Sequence, residues 1–180
     1  NDLSFQGVFS FTDYVEGIYM GYKFYETAAE EGLIDYNEYV QYPFGYGLSY
    51  TSFTQEITDF KQNDDSLTVE VTVKNTGDVE GKDVVELYFT PPYTNSGIEK
   101  ASVNLVDFEK TDMLKPGASQ KITITVPLED LASYDSSCLK TASGGYILEA
   151  GTYNISIRSD SHTVLDSKDF EVSADVDYSE

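Results

Sequence analysis

Tryptophan is absent from this sequence, and histidine and cysteine occur once each, as His162 and Cys138. A lone cysteine excludes an internal disulfide framework. His162 lies in a polar turn without a second His or a Cys at ligand spacing, so we read it as a surface histidine and expect no metal site. Basic residues are also scarce. Lys and Arg total 11 against 32 Asp and Glu, a formal charge of -21. Such a polyanion repels phosphate, which excludes nucleic acid and anionic membrane as partners; the charge reads as a heavily hydrated surface. No apolar run approaches the ~20 residues that cross a bilayer. The chain opens on Asn1 without Met and without a basic stretch leading into an apolar core. We therefore expect a processed or truncated product, and its location is left open.

What the chain does have is tyrosine and phenylalanine, 15 and 10 of them, in a composition that is 40% hydrophobic. That is enough for a packed core. Two regions differ in periodicity, with the boundary near 51–54. In the first, Val15, Ile18, Tyr19, Tyr22, Tyr25 and Ala29 recur at helical spacing. Asp13 followed by Glu16 has the form of a capping box, and Gly32 stands where a left-handed C-cap would sit. The spacing predicts one helix over 14–31, followed by a Tyr/Gly-rich extended segment. A lone amphipathic helix cannot bury its own face, so it must pack on a neighbour.

The second region, 54–173, alternates apolar and polar residues in short runs. Leu67, Val69, Val71 and Val73 stop at the turn signal Asn75-Thr76-Gly77-Asp78. Val85, Leu87 and Phe89 stop at Pro91-Pro92, because proline cannot donate to a sheet ladder. Residues 105–108, then Ile122, Ile124 and Val126, then Tyr153, Ile155 and Ile157, then 164–172 continue the pattern. About seven short strands separated by regular turns predict a mainly β fold, an antiparallel sandwich of immunoglobulin-like type. Val71, Val85, Leu87, Ile124, Tyr153 and Ile155 are expected in its core. The polar stretch 174–180 reads as a linker or tail.

Candidate chemistry is thin. Asp13 and Glu16 are explained as caps, and a helix N-terminus lowers a carboxylate pKa, which opposes acid duty. Glu30 and Glu31 read as a solvated helix end. Asn63-Asp64-Asp65 reads as a hairpin turn without the spaced ligands of a calcium loop. Cys138 has no His beside it, which argues against a nucleophile. Asn154-Ile155-Ser156 matches a glycosylation acceptor but falls inside an alternating strand. Gly144-Gly145 and the glycines of 44–47 have turn chemistry, and no glycine loop cradles phosphate. We assign no catalytic, cofactor or metal residues. The Tyr-rich stretch 36–50 reads as a domain-packing seam, with a glycan-binding surface as the other reading.

Three stretches together resemble glycoside hydrolase family 3, in particular its β-glucosidases. EGIYMGYKFYE at 16–26 looks like the helix near the end of the family's α/β sandwich domain. PFGYGLSYTSF at 43–53 is similar to the segment leading out of that domain. NTGDVEGKDVVELY at 75–88 resembles the opening half of its fibronectin-type-III-like domain, and VDFEK at 106–110, LKPG at 114–117 and EAGTY at 149–153 also fit. Their order and spacing carry the signal over about 14–172. The family more often has Arg at Lys23 and Asp at Glu26, and 27–41 is longer than in many members. That length and the polar tail resemble bacterial members with inverted domain order, whose barrel would follow 174–180.

The resemblance implies that 1–53 is a remnant of the α/β domain, with an exit segment at 42–53, and that 54–173 is the fibronectin-type-III-like domain. It also implies a parent that hydrolyses β-D-glucosyl residues at non-reducing ends. Retention needs two carboxyls ~5 Å apart. The family's nucleophile is a barrel Asp commonly followed by Trp, and its barrel supplies a Lys-His pair. This chain has no Trp, and its one His follows Ser161. The acid/base comes from an earlier part of the α/β domain. The resemblance thus implies a non-catalytic accessory piece whose partners are the remaining domains and, through them, the carbohydrate substrate. A stand-alone carbohydrate-binding or adhesion sandwich is the alternative.

Overall fold

The structure, a computed structural model, describes residues 15–179. Two short helices come first, α1 (Tyr22–Glu30) and α2 (Tyr36–Tyr39). The strands follow as β1 (Phe53–Gln62), β2 (Ser66–Asn75), β3 (Val84–Thr90), β4 (Asn104–Lys110), β5 (Ser119–Pro127), β6 (Ser133–Tyr134), β7 (Tyr146–Leu148), β8 (Gly151–Arg158), β9 (Val164–Val172) and β10 (Val176–Asp177). A single 3₁₀ turn, Leu128–Leu131, follows β5.

A three-stranded sheet in the order β1-β2-β5 faces a four-stranded sheet in the order β4-β3-β8-β9, and the pairings are antiparallel. Successive side chains of a strand point to opposite faces, so alternation decides which go inside. In β2, Leu67, Val69, Val71 and Val73 point inward and are fully buried. From the other sheet Val85, Leu87, Ile155 and Ile157 meet them, with Ile122, Ile124 and Val126 of β5 closing the layer. The six core residues expected from alternation are all within 3% of complete burial. At the start of β8 the buried Tyr153 hydroxyl donates to the Glu149 carbonyl four residues upstream, at 3.2 Å. That corner tyrosine belongs to sandwiches of the immunoglobulin type. The fold is an antiparallel immunoglobulin/fibronectin-type-III-like sandwich preceded by short helices.

The helix is shorter than its periodicity predicts. It begins at Tyr22, six residues after Glu16, and the residues 15–18 form a turn. Gly17 and Gly21 take φ +55° and +62°, values that interrupt a right-handed helix and that glycine alone adopts cheaply. The Glu16 side chain therefore does not cap α1, and Asp13 and Tyr14 lie outside the described residues. The other end is as expected. Gly32 is left-handed at φ +70°, and the N–H groups of Gly32 and Leu33 close a Schellman cap on the Ala29 and Ala28 carbonyls.

The stretch read as a linker or tail carries a short strand, Val176–Asp177. β10 pairs with β7, and β7 with β6, in a small third sheet. Lys140 ties this corner together by bridging Glu149 and Asp175, each at 2.8 Å.

Candidate functional site

The segment before the sandwich is fastened to it through one buried carboxylate. Tyr22 and Glu26 lie one turn apart on α1, so both face the same way. The Tyr22 hydroxyl accepts from the Leu105 N–H at 2.8 Å, and its ring stacks on Phe44 with centroids 4.7 Å apart. Glu26 is almost fully buried. Its Oε1 accepts from the hydroxyls of Tyr36 and Ser161, both at 2.7 Å, and its Oε2 lies 2.8 Å from Nδ1 of His162. The donors come from α2 and from the turn between β8 and β9. A buried carboxylate is costly unless its lone pairs are met, and here three donors meet them.

His162 is exposed, as the sequence suggests, but it is not isolated. Its ring stacks on Tyr36, 3.7 Å between centroids and 6° from parallel, while the side chain remains partly exposed. The turn itself is held by Asp160, whose Oδ1 accepts from the N–H groups of His162 and Thr163. Arg158 lies buried beneath it. Its Nε donates to Ser156 Oγ at 2.9 Å, its Nη1 to the Ser161 carbonyl at 2.7 Å, and its guanidinium sits 5.6 Å from the Tyr88 ring centroid. Burial lowers the Arg158 pKa, opposed by the charge of Glu26.

The exit segment lies over this assembly. The Phe44 carbonyl accepts from the Ser161 N–H at 2.7 Å. Gly45 has φ +85° and sits so close to Glu86 that an added Cβ would come within 2.3 Å of its carboxylate. Burial raises the Glu86 pKa, although the Tyr88 hydroxyl donates to it at 2.7 Å. Beyond the clasp the segment turns its aromatic groups outward. Tyr39, Tyr42, Phe44, Tyr46, Leu48 and Tyr50 are all exposed, and Tyr42 and Tyr46 lean together at 5.3 Å.

The remaining candidates are dispersed. Glu30 and Glu31 are exposed at the end of α1, and Asn63-Asp64-Asp65 forms the turn between β1 and β2. Cys138 is exposed in a turn at φ +51°. Asn154 lies within β8, its amide donating to Asp169 at 2.6 Å. Among the described residues no three His, Cys, Asp or Glu side chains converge as metal ligands. Sequence reasoning noticed Glu26 only as a departure from a family pattern and did not single out Arg158. The one available signal was a carboxylate placed a single turn from Tyr22 on an apolar helix face.

Comparison with known proteins places this arrangement. Residues 83–161 match the family described as fibronectin type III-like domain. The chain is 38% identical over 175 residues to a β-glucosidase of Kluyveromyces marxianus, covering 97% of this chain and 19% of that protein. It is 38% identical over 161 residues to β-glucosidase A of Butyrivibrio fibrisolvens, covering 80% of this chain and 18% of that protein. The structure of β-glucosidase 3B from Thermotoga neapolitana in complex with glucose superposes with a TM-score of 0.79 at 30% identity, over 93% of this chain and 21% of that one. The chain spans about a fifth of the length of these relatives. By sequence and by fold it is similar to that fifth of a β-glucosidase, with a fibronectin type III-like match at its centre.

Proposed function

We propose that the chain is the accessory, non-catalytic part of a larger β-glucosidase of glycoside hydrolase family 3. In this reading 1–53 is the end of an α/β domain, 54–173 the fibronectin-type-III-like domain, and 174–180 its tail. The parent hydrolyses β-D-glucosyl residues from non-reducing ends, and this chain supports the domains that do so. One observation carries the reading. The similarity to β-glucosidases runs through the helix and exit segment as well as the sandwich, covering 97% of the chain. A free-standing binding module has no use for that preceding segment. The exposed aromatic run of 39–50 supplies a face for the partner domains, and the Glu26 clasp holds it in place.

The test is activity of the chain by itself. Glycosidase chemistry needs two positioned carboxyls around a sugar pocket, and Glu26 is occupied by structural donors. The purified 180-residue chain should leave an aryl β-glucoside unhydrolysed above the buffer rate. Turnover abolished by changing one of its carboxylates would refute the accessory reading.

A further inference from the structure

After β9 the chain leaves the sandwich and crosses to the small third sheet, where β10 lies along β7. Little apolar surface holds it there. Ala174, Asp175, Val176 and Asp177 are exposed, and the half-buried Tyr178 supplies the contact with the core. The attachment is polar instead. One oxygen of Asp175 accepts from the Ala150 N–H at 2.7 Å, and the other accepts from the Lys140 ammonium at 2.8 Å. Lys140 is the shared group. Its ammonium also pairs with Glu149 at 2.8 Å, and the other oxygen of Glu149 is engaged by the buried Lys100. The bond to Lys140 is the largest cause that lowers the Asp175 pKa, and the bond to Asp175 the largest that raises that of Lys140.

The position of Lys140 does not rest on Asp175 alone. Asp135 accepts from the N–H groups of Leu139, Lys140 and Thr141, which fixes the backbone that carries it, and Glu149 holds its ammonium from below. The catch is therefore assembled from groups outside the segment it holds. A segment with few buried apolar contacts opens at lower free energy than the core. An ion pair reached by water is weakened by salt, and the Lys140 and Asp175 side chains are 40% and 38% exposed, against 4% for Lys100. We propose that residues 174–179 are a strap that opens and closes over an intact sandwich, with the Lys140 ammonium as its catch. Closed, the strap covers the β7 edge; open, it leaves the backbone of Tyr146–Leu148 unpaired on that side. Ionic strength, or loss of the charge at Lys140, shifts the balance toward the open form. The inference needs only this chain and does not depend on the accessory reading.

The experiment is amide hydrogen exchange of the purified chain, read residue by residue. The Ala150 N–H bonds Asp175 and the Tyr178 N–H bonds the Tyr146 carbonyl, so these two amides report the strap. Val69 and Val71, fully buried in β2, report the core. The strap amides should exchange about tenfold or more faster than the core pair, as a local opening does. Raising NaCl from about 0.05 M to about 1 M should speed them a further twofold to fivefold, roughly the worth of an exposed ion pair. Lys140→Met should speed them by a similar factor at low salt and abolish the salt response, with the core amides unchanged. Asp175→Asn, at an exposed position, should do the same while its amide oxygen still meets Ala150. Strap amides that exchange at the core rate would overturn the proposal. A salt response that survives both Lys140→Met and Asp175→Asn would overturn it as well.

Discussion

Glu26 shows how much one side chain can fasten. Its donors lie 10, 135 and 136 residues away in the chain, so this one carboxylate holds three segments together. Glu26→Ala strands the Tyr36 and Ser161 hydroxyls in a buried place and should lower unfolding free energy by about 3 kcal/mol, whereas Glu26→Gln keeps an acceptor and should cost about 1 kcal/mol. Urea unfolding measures both, and equal stability of the two variants would contradict the clasp. Asp135 acts through pH. Burial alone would raise its pKa, but the N–H groups of Lys140, Leu139 and Thr141 and the Thr141 hydroxyl outweigh that and pull it down to about 2. A carboxyl whose folded pKa lies below its ordinary 3.8 lends stability above that value and loses it as pH falls through about 2. Urea midpoints followed from about pH 5 to about pH 2 should therefore fall less steeply for Asp135→Asn than for the unaltered chain. Parallel curves would remove Asp135 from the account of acid unfolding.

At the scale of elements, the strands were legible and the connections were not. Alternation in β2 and β5 reports which side chains face the core, and burial follows it residue by residue; in β3 and β8 it finds the core residues, but Tyr88, Ser156 and Arg158 beside them are buried as well. The helix was misjudged at its start because periodicity counts side chains, whereas Gly17 and Gly21 end the helix through the backbone. The small sheet of β6, β7 and β10 escaped notice because strands of two or three residues carry no period, and their pairing is fixed by distant partners. Glu26 was legible as a residue but not as a clasp, since its partners lie far along the chain. The exit segment offers its own test. Gly45→Ala forces a left-handed alanine, which costs about 1–2 kcal/mol, and drives its Cβ into the Glu86 carboxylate. Limited proteolysis within 42–50 should accelerate while the sandwich keeps its cooperative melt. Unchanged protection would mean that the segment does not rest on Glu86.

On the scale of the whole molecule, a single core under two facing sheets sets the stability, and under the accessory reading the segment before it sets the use. Leu87→Ala, at a fully buried site between the sheets, should cost about 2–5 kcal/mol in urea unfolding. A smaller loss would mean that the two sheets do not meet there. The use is a different question, because sandwiches serve many functions. Under the accessory reading the preceding helix, the clasp and the outward aromatic run form one side of a joint. The most direct measurement is the activity of a chimera, the Kluyveromyces marxianus β-glucosidase with its matching fifth replaced by this chain. The accessory reading predicts an enzyme that hydrolyses an aryl β-glucoside within about tenfold of the unaltered enzyme, about 1.4 kcal/mol in transition-state terms. It also predicts loss of that activity when Tyr42, Tyr46 and Tyr50 are changed together to Ser. A chimera that is inactive while its grafted sandwich stays folded, or one indifferent to the three tyrosines, would contradict it.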